Sequence, residues 1–333
     1  RKVCFFLGNT KKSENKRYFF TPIRESKNFI FFGAVVYNDN ICKKILRYID
    51  GKVDFVLVDI EKKVISKNKR LGLVNIERSA KDVIKKSKLH VYKANDLAVG
   101  AAETLLNNLF LKDKRGLGGK KLLIFGVGNI GFKLALKFVE SGALVYIFRR
   151  QKKLLLNFAN TINKIKPEAT ISRVKILKVI PKDLSKFNII ISSTDNNDVI
   201  KMNQIEKVTK KNILIDVGKG NFSKDATNYL DKKNIIIYRL DTTSSYFSYL
   251  ENIIITNSLQ SHVKFKRKIK KFKFIRQGIV GQKNDIIIDN INLPKKILGI
   301  CDGEGGLYAH GQIEKLKIRN LINKNLKLKL KYD

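Results

Sequence analysis

One stretch constrains this chain more than any other. The apolar run Leu122 to Phe125 passes into Gly126-Val127-Gly128-Asn129-Ile130-Gly131 and then into residues of helical period. Glycines at this spacing are weak evidence alone, but between a strand and a helix each has a task. Gly126 permits the tight turn, Gly128 lets backbone approach a pyrophosphate, and Gly131 lets the helix pack against the strand. Leu134, Ala135, Phe138 and Val139 form the inward helical face, Gly142 is placed to end it, and Leu144 to Phe148 reads as the next strand. The unit predicts that the helix opening at Asn129 and Ile130 turns its free amides and positive end toward a dinucleotide's phosphates.

The end of the second strand selects the dinucleotide. An NAD site places Asp or Glu about 20 residues past the motif, to accept from the ribose 2′-hydroxyl. Here Arg149 and Arg150 stand 18 and 19 residues past Gly131, with no acid beside them. Guanidinium groups pair with a 2′-phosphate and stack on adenine, so the expected cofactor is NADP. Two further loops fall at strand ends: Ser193 and Thr194 after Ile189 to Ile191, and Gly218 after Ile213 to Asp216. In an open α/β sheet ligands bind outside those ends, so these residues are expected to line the nicotinamide half.

Strand and helix patterns alternate from the first residues. Lys2 to Gly8, Asn28 to Tyr37, Val53 to Ile60 and Leu89 to Tyr92 read as strands, and Ile41 to Tyr48 and Ile76 to Lys86 as helices. Asn95 to Leu111 reads as one helix with Asn95 or Asp96 as its N-cap, followed by a charged, glycine-bearing junction to Lys120. The fold class is therefore α/β, a Rossmann-type doubly wound parallel sheet with a second α/β domain. The expected division is an N-terminal α/β substrate domain over 1–111, with its linking helix at 95–111, and a nucleotide-binding domain over 112–250. A C-terminal segment over 251–333 is expected to pack back on the first domain, with a Lys-Leu tail from Asn323 that frays.

The chain carries 68 Lys and Arg against 29 Asp and Glu, a formal charge of +39. The lysines are spread along the whole chain among many Asn, Ile and Phe, as AT-rich coding would produce, which argues against nucleic acid as the principal partner. In Lys264 to Phe274 the cations interleave with aromatics. Phe265, Ile269 and Phe272 fall at i, i+4 and i+7, so an amphipathic helix with a solvated basic face is expected there. The longest apolar run, Phe29 to Tyr37, is nine residues, too short for a bilayer-spanning helix. Three cysteines and three histidines are too few and scattered for a disulfide framework or a zinc ribbon, so no metal is expected and a cytoplasmic, soluble setting is. Cys4 and Cys42 read as core residues. The chain opens with Arg1, almost inside a strand, so residues upstream are expected.

The order of an α/β domain, a linking helix opening on Asn95-Asp96, and a dinucleotide domain with a basic second strand end resembles a known superfamily. Its members have an amino-acid-dehydrogenase-like N-terminal domain, and they include the shikimate dehydrogenases and the methylene-tetrahydrofolate and methylene-tetrahydromethanopterin dehydrogenases. Tyr92-Lys93-Ala94-Asn95-Asp96-Leu97-Ala98-Val99-Gly100 is similar to the segment entering the linking helix there, and Gly119 to Ile165 is most similar to the pterin dehydrogenases. The resemblance implies a substrate-contacting role for Asp96 and, more loosely, for Asn75. By chemistry alone, Lys93 three residues before Asp96 could act as general acid or base on a carbonyl, with Asp96 orienting it, or the two could be a cap and a surface cation. Cys301 to His310 gathers a thiol, acids and an imidazole, with Tyr308 and His310 as proton-transfer candidates, although a tight loop also explains its glycines.

The expected function is an NADP-dependent oxidoreductase moving a hydride to or from a small polar substrate between two domains, with homo-oligomerisation left open. Two alternatives stay in view: a non-catalytic NAD(P)-binding sensor or scaffold, and an RNA-associated basic protein.

Overall fold

The computed structural model describes residues 1–9, 18–37, 39–61, 75–260 and 265–332, and the chain divides into two compact units, Arg1–Ser248 and Tyr249–Asp333. In the first unit the elements begin β1 (Lys2–Asn9), β2 (Tyr18–Phe20), β3 (Arg24–Glu25), β4 (Phe29–Val36), α1 (Asp39–Ile49), β5 (Phe55–Asp59), α2 (Ile76–Val83) and β6 (Lys88–Tyr92). Strands β4, β1, β5 and β6 lie side by side and parallel, with β2 and β3 antiparallel on the outer edge of β4. β5, Phe-Val-Leu-Val-Asp, is buried throughout, as a near-continuous apolar run in a parallel sheet requires. One face buries Phe5, Leu7, Val56 and Val58 with Leu46 of α1 and Ala80 of α2. On another part of the sheet Phe6 stacks on Tyr246 at 4.8 Å, and Phe31 meets Phe247 edge to face at 4.9 Å. The order leaves Asn9, Asp59 and Tyr92 at the carboxyl ends of β1, β5 and β6.

α3 (Ala94–Leu109) follows, then β7 (Lys121–Phe125), α4 (Asn129–Glu140), β8 (Leu144–Phe148), α5 (Lys152–Ile165), β9 (Lys175–Ile176), β10 (Ile189–Ser192), α6 (Met202–Ile205), β11 (Ile213–Asp216), α7 (Lys224–Lys232), β12 (Ile237–Arg239) and α8 (Thr243–Gln260). The sheet runs β9-β8-β7-β10-β11-β12 with every pair parallel. In order of appearance that is 3-2-1-4-5-6, the doubly wound arrangement of a Rossmann-type domain. Alternate residues of β7 divide between two cores: Leu122 and Ile124 join Leu134, Phe138 and Ile162 on one face, while Leu123 and Phe125 join Leu184, Ile205 and Leu230 on the other. α3 lays Val99, Ala102 and Leu106 into the first of these cores. It is also tied to α4 by the Glu103–Lys137 ion pair at 2.6 Å.

The second unit holds β13 (Lys266–Ile269), β14 (Phe272–Arg276), β15 (Ile286–Ile288), β16 (Lys296–Ile300), α9 (Gln312–Leu326) and β17 (Lys331–Tyr332), the strands forming one mixed sheet in chain order. The amphipathic helix expected near Phe265 is not there; Lys264 lies outside the described residues, and the rest forms a hairpin. Ile269 pairs with Phe272 across a turn whose Lys270 has φ +53°, and Ile269, Phe272 and Phe274 all pack into the unit's core. The two-residue spacing of Phe272 and Phe274 outweighed the helical spacing of Phe265, Ile269 and Phe272. The expected fraying from Asn323 is also overturned. The Asn323 side chain donates to the Leu330 carbonyl at 3.0 Å and accepts from its N–H at 2.8 Å, so the tail is pinned and Leu330 is buried. No helix among the described residues is long and apolar enough to cross a membrane.

Candidate functional site

At the carboxyl ends of β7 and β10 the sheet's winding reverses, and a cavity of about 880 Å³ opens there. The three glycines of the turn behave differently from one another. Gly126 has φ +84°, and a methyl group on it would come within 2.9 Å of the Ser193 backbone. At Gly131 a methyl would stand 2.1 Å from the Gly126 carbonyl oxygen, so this glycine seats α4 against the turn. Gly128 is exposed, at φ −94° and ψ −152°, and a methyl there would meet nothing within 4 Å. What Gly128 leaves is open space on the cavity side.

Gly128 is also the N-cap of α4. It offers no side-chain acceptor, and the first turn, from Asn129, has no acid. The amino end of α4 thus keeps unsatisfied N–H groups and its full positive end. α3 makes the contrast. Its N-cap is Lys93 rather than the expected Asn95 or Asp96, both of which lie inside the helix, and its amides are covered by carboxylates at and just past the end of β5. Asp59 accepts from Ala94 N–H at 3.4 Å and Glu61 from Asn95 N–H at 3.2 Å. No local sequence signal marks this capping, because donor and acceptor lie about thirty-five residues apart.

Arg149 and Arg150 both line the cavity. Arg149 donates to the Val127 carbonyl at 2.6 Å and to Gln151 at 3.0 Å, with its guanidinium 5.5 Å from the Phe158 ring centre. Arg150 is exposed and donates to Asn196 Oδ1 at 3.0 Å. Ser193 and Thr194 line the cavity too. Ser193 N–H bonds the Phe125 carbonyl at 2.8 Å and its hydroxyl bonds the Gly126 carbonyl at 2.7 Å, locking the β10 end to the glycine turn. Asn129, Ile130 and Gly131 form the first turn of α4 and are not among the residues that line the cavity. Gly218 backs on the Thr194 carbonyl and does not line the cavity.

Sequence reasoning missed the residue that ties the two loops together. Asn221, fully buried, donates to the Thr194 carbonyl at 3.0 Å and the Asn196 carbonyl at 2.6 Å, while its N–H bonds Asp216 at 3.2 Å. The Lys219 and Gly220 amides also point at that carboxylate. Nothing in the sequence distinguishes Asn221 from the chain's many other asparagines.

The remaining candidates are dispersed. Asp96 pairs with Lys133 of α4 and stands 3.8 Å from Lys93, both side chains being about half exposed. Asn75 caps α2 by accepting from Arg78 N–H at 3.0 Å. Tyr308 and His310 lie in the second unit, where His310 Nδ1 is 3.3 Å from the Tyr332 hydroxyl. Their loop is held by Asp302, which accepts from the Glu304 and Gly306 amides. All three cysteines are buried, and burial pushes the Cys4 thiol up to about 12.

No protein-family model matches the chain, and no curated protein matches it. Solved structures do. Among them is dipicolinate synthase A chain from Bacillus subtilis, 15% identical over 68% of this chain and 71% of that one, with a TM-score of 0.36. A shikimate dehydrogenase in complex with NADP+ is 17% identical over 72% and 84%, with a TM-score of 0.37. A 5-ketofructose reductase of a Gluconobacter species is 14% identical over 79% and 94%, with a TM-score of 0.38.

Proposed function

We propose that this protein is an NADP-dependent oxidoreductase that binds its dinucleotide at the carboxyl end of the β7–β12 sheet. The observation that carries the proposal is the bare amino end of α4, opened toward a cavity of about 880 Å³ by a glycine whose missing side chain would have met nothing. A pyrophosphate is the group that such an end suits: it accepts from backbone N–H donors and is favoured by the helix dipole. Gly126 and Gly128 would shape the cradle, Ser193 and Thr194 the wall beyond it, and Arg149 and Arg150 the adenosine end. Two guanidiniums and no carboxylate at the β8 end fit a 2′-phosphate better than a 2′-hydroxyl.

When bound, such a cofactor supplies hydride chemistry at its nicotinamide ring. The protein's part is to fix the ring and present a small polar substrate from the Asp96 side of the unit, with Lys93 as the proton-handling group and Asp96 orienting it.

The test is a fluorescence titration with NADPH and NADH, repeated with Arg149→Ala and Arg150→Ala. Binding of NADPH that weakens at least tenfold in Arg150→Ala, with NADH unchanged or tighter, is the expected result. The absence of binding by either nucleotide refutes the proposal. Tight NADPH binding without turnover across ketones, hydroxy acids and pterins would leave a dinucleotide sensor in place of an enzyme.

A further inference from the structure

The two arginines at the β8 end are held in different ways. Arg149 is half-buried, bonded to the glycine turn through the Val127 carbonyl and braced by Gln151 and the Phe158 ring. It serves as part of the wall. Arg150 is exposed and reaches from the end of β8 to Asn196 on the loop after β10. In the sheet those two strands flank β7 on opposite sides, so the Arg150–Asn196 bond bridges the slot between them.

The acceptor is well braced. The Asn196 N–H and side-chain amide both donate to Thr194 Oγ1, at 2.9 and 3.1 Å, and its carbonyl takes the 2.6 Å bond from buried Asn221. This leaves Oδ1 aimed at Arg150. A neutral amide oxygen is a modest acceptor for an exposed guanidinium, and a phosphate is a far better one because it carries the opposite charge and can accept two parallel bonds.

We infer that Asn196 is a specificity-determining residue, one that holds Arg150 in the free protein and competes with the cofactor's 2′-phosphate for it. The inference rests on the dinucleotide reading above and divides the labour between the arginines: Arg149 shapes the glycine turn and Arg150 recognises the phosphate. A nucleotide without the 2′-phosphate makes no demand on Arg150, so it is indifferent to Asn196. The apparent affinity for the phosphorylated one is reduced by the fraction of molecules in which Arg150 is already engaged.

The test uses NADPH, NADH and 2′,5′-ADP titrated into the full chain and into Asn196→Ala, Asn196→Asp and Arg150→Ala. Asn196→Ala frees Arg150 and tightens NADPH and 2′,5′-ADP about two- to fivefold. Asn196→Asp offers Arg150 a charged partner and sets a carboxylate near the 2′-phosphate, weakening both about tenfold. NADH changes in neither, and the effect of Asn196→Ala disappears in an Arg150→Ala background. If Asn196→Ala weakens NADPH, shifts NADPH and NADH alike, or changes nothing, the inference is wrong and Asn196 is a direct ligand or a loop brace. If the unaltered protein binds none of the three probes, the dinucleotide reading itself fails and takes this one with it.

Discussion

Replacing Gly128 by alanine adds one methyl group that meets nothing within 4 Å beyond its own chain neighbours. The backbone at φ −94° and ψ −152° is ordinary extended geometry for an L-residue, so no strain arises. Alanine is a poorer N-cap than glycine, by roughly 0.5–1 kcal/mol, and a glycine-to-alanine change recovers about 0.4–1 kcal/mol by restricting the unfolded chain. The two nearly cancel, and the melting temperature should move by no more than about 3 °C. The space the methyl fills is the approach to the amino end of α4. Losing one charge-assisted bond between an amide and a phosphate, worth about 1.5–3 kcal/mol, should weaken nucleotide binding roughly ten- to hundredfold. Gly131→Ala is the control of opposite character. Its methyl would press to 2.1 Å from the Gly126 carbonyl oxygen and 2.8 Å from Ser193 Oγ, an overpacking expected to cost about 1–3 kcal/mol or more. That variant should melt roughly 2–10 °C lower. Thermal melts followed by NADPH and NADH fluorescence titrations on both proteins make the assay. Gly128→Ala with an unchanged melt and unchanged affinity for both nucleotides would refute the reasoning, since the phosphates could not then lie at Gly128.

Asp59→Ala removes a buried carboxylate that accepts from the Asn9 amide, the Glu61 N–H and the Ala94 N–H; leaving these donors unmet should cost about 1–3 kcal/mol, read as a lowered denaturant midpoint. Desolvation raises the Asp50 carboxyl, but backbone N–H groups of Ser87, Lys86 and Lys85 outweigh it and hold its pKa below the usual carboxylate range. A depressed folded-state pKa contributes stability above the unfolded value that is lost as pH falls through the folded one. The melting temperature should therefore decline on that acid limb, and Asp50→Asn should flatten the decline in melts between neutral and acid pH.

How far the sequence could be read varied with how local the information was. The glycine turn, the strands on either side of it and the helix it opens were legible because backbone sterics and side-chain period act within a few residues. Gly142, for example, does end α4 with φ +83°. Arg149, Arg150, Ser193 and Thr194 were legible as strand-end residues, and all four line one cavity, but the pairing register of the strands that brings them there depends on how distant segments meet. The basic stretch near Lys270 shows the limit of periodicity: both a helical and an alternating pattern were present, and only the pairing of Ile269 with Phe272 chose between them.

The sequence alone determined a strand–glycine turn–helix unit with cations in place of an acid at the second strand end, since these follow from residue type and spacing. Only the tertiary structure decided that Asp59 and Glu61 cap α3, that Asn221 ties two loops, and that Arg150 is held by Asn196. The physical reason is the same in each case: a side-chain hydrogen bond between residues far apart in the chain has no periodicity to announce it. It exists only once packing has brought donor and acceptor within about 3 Å.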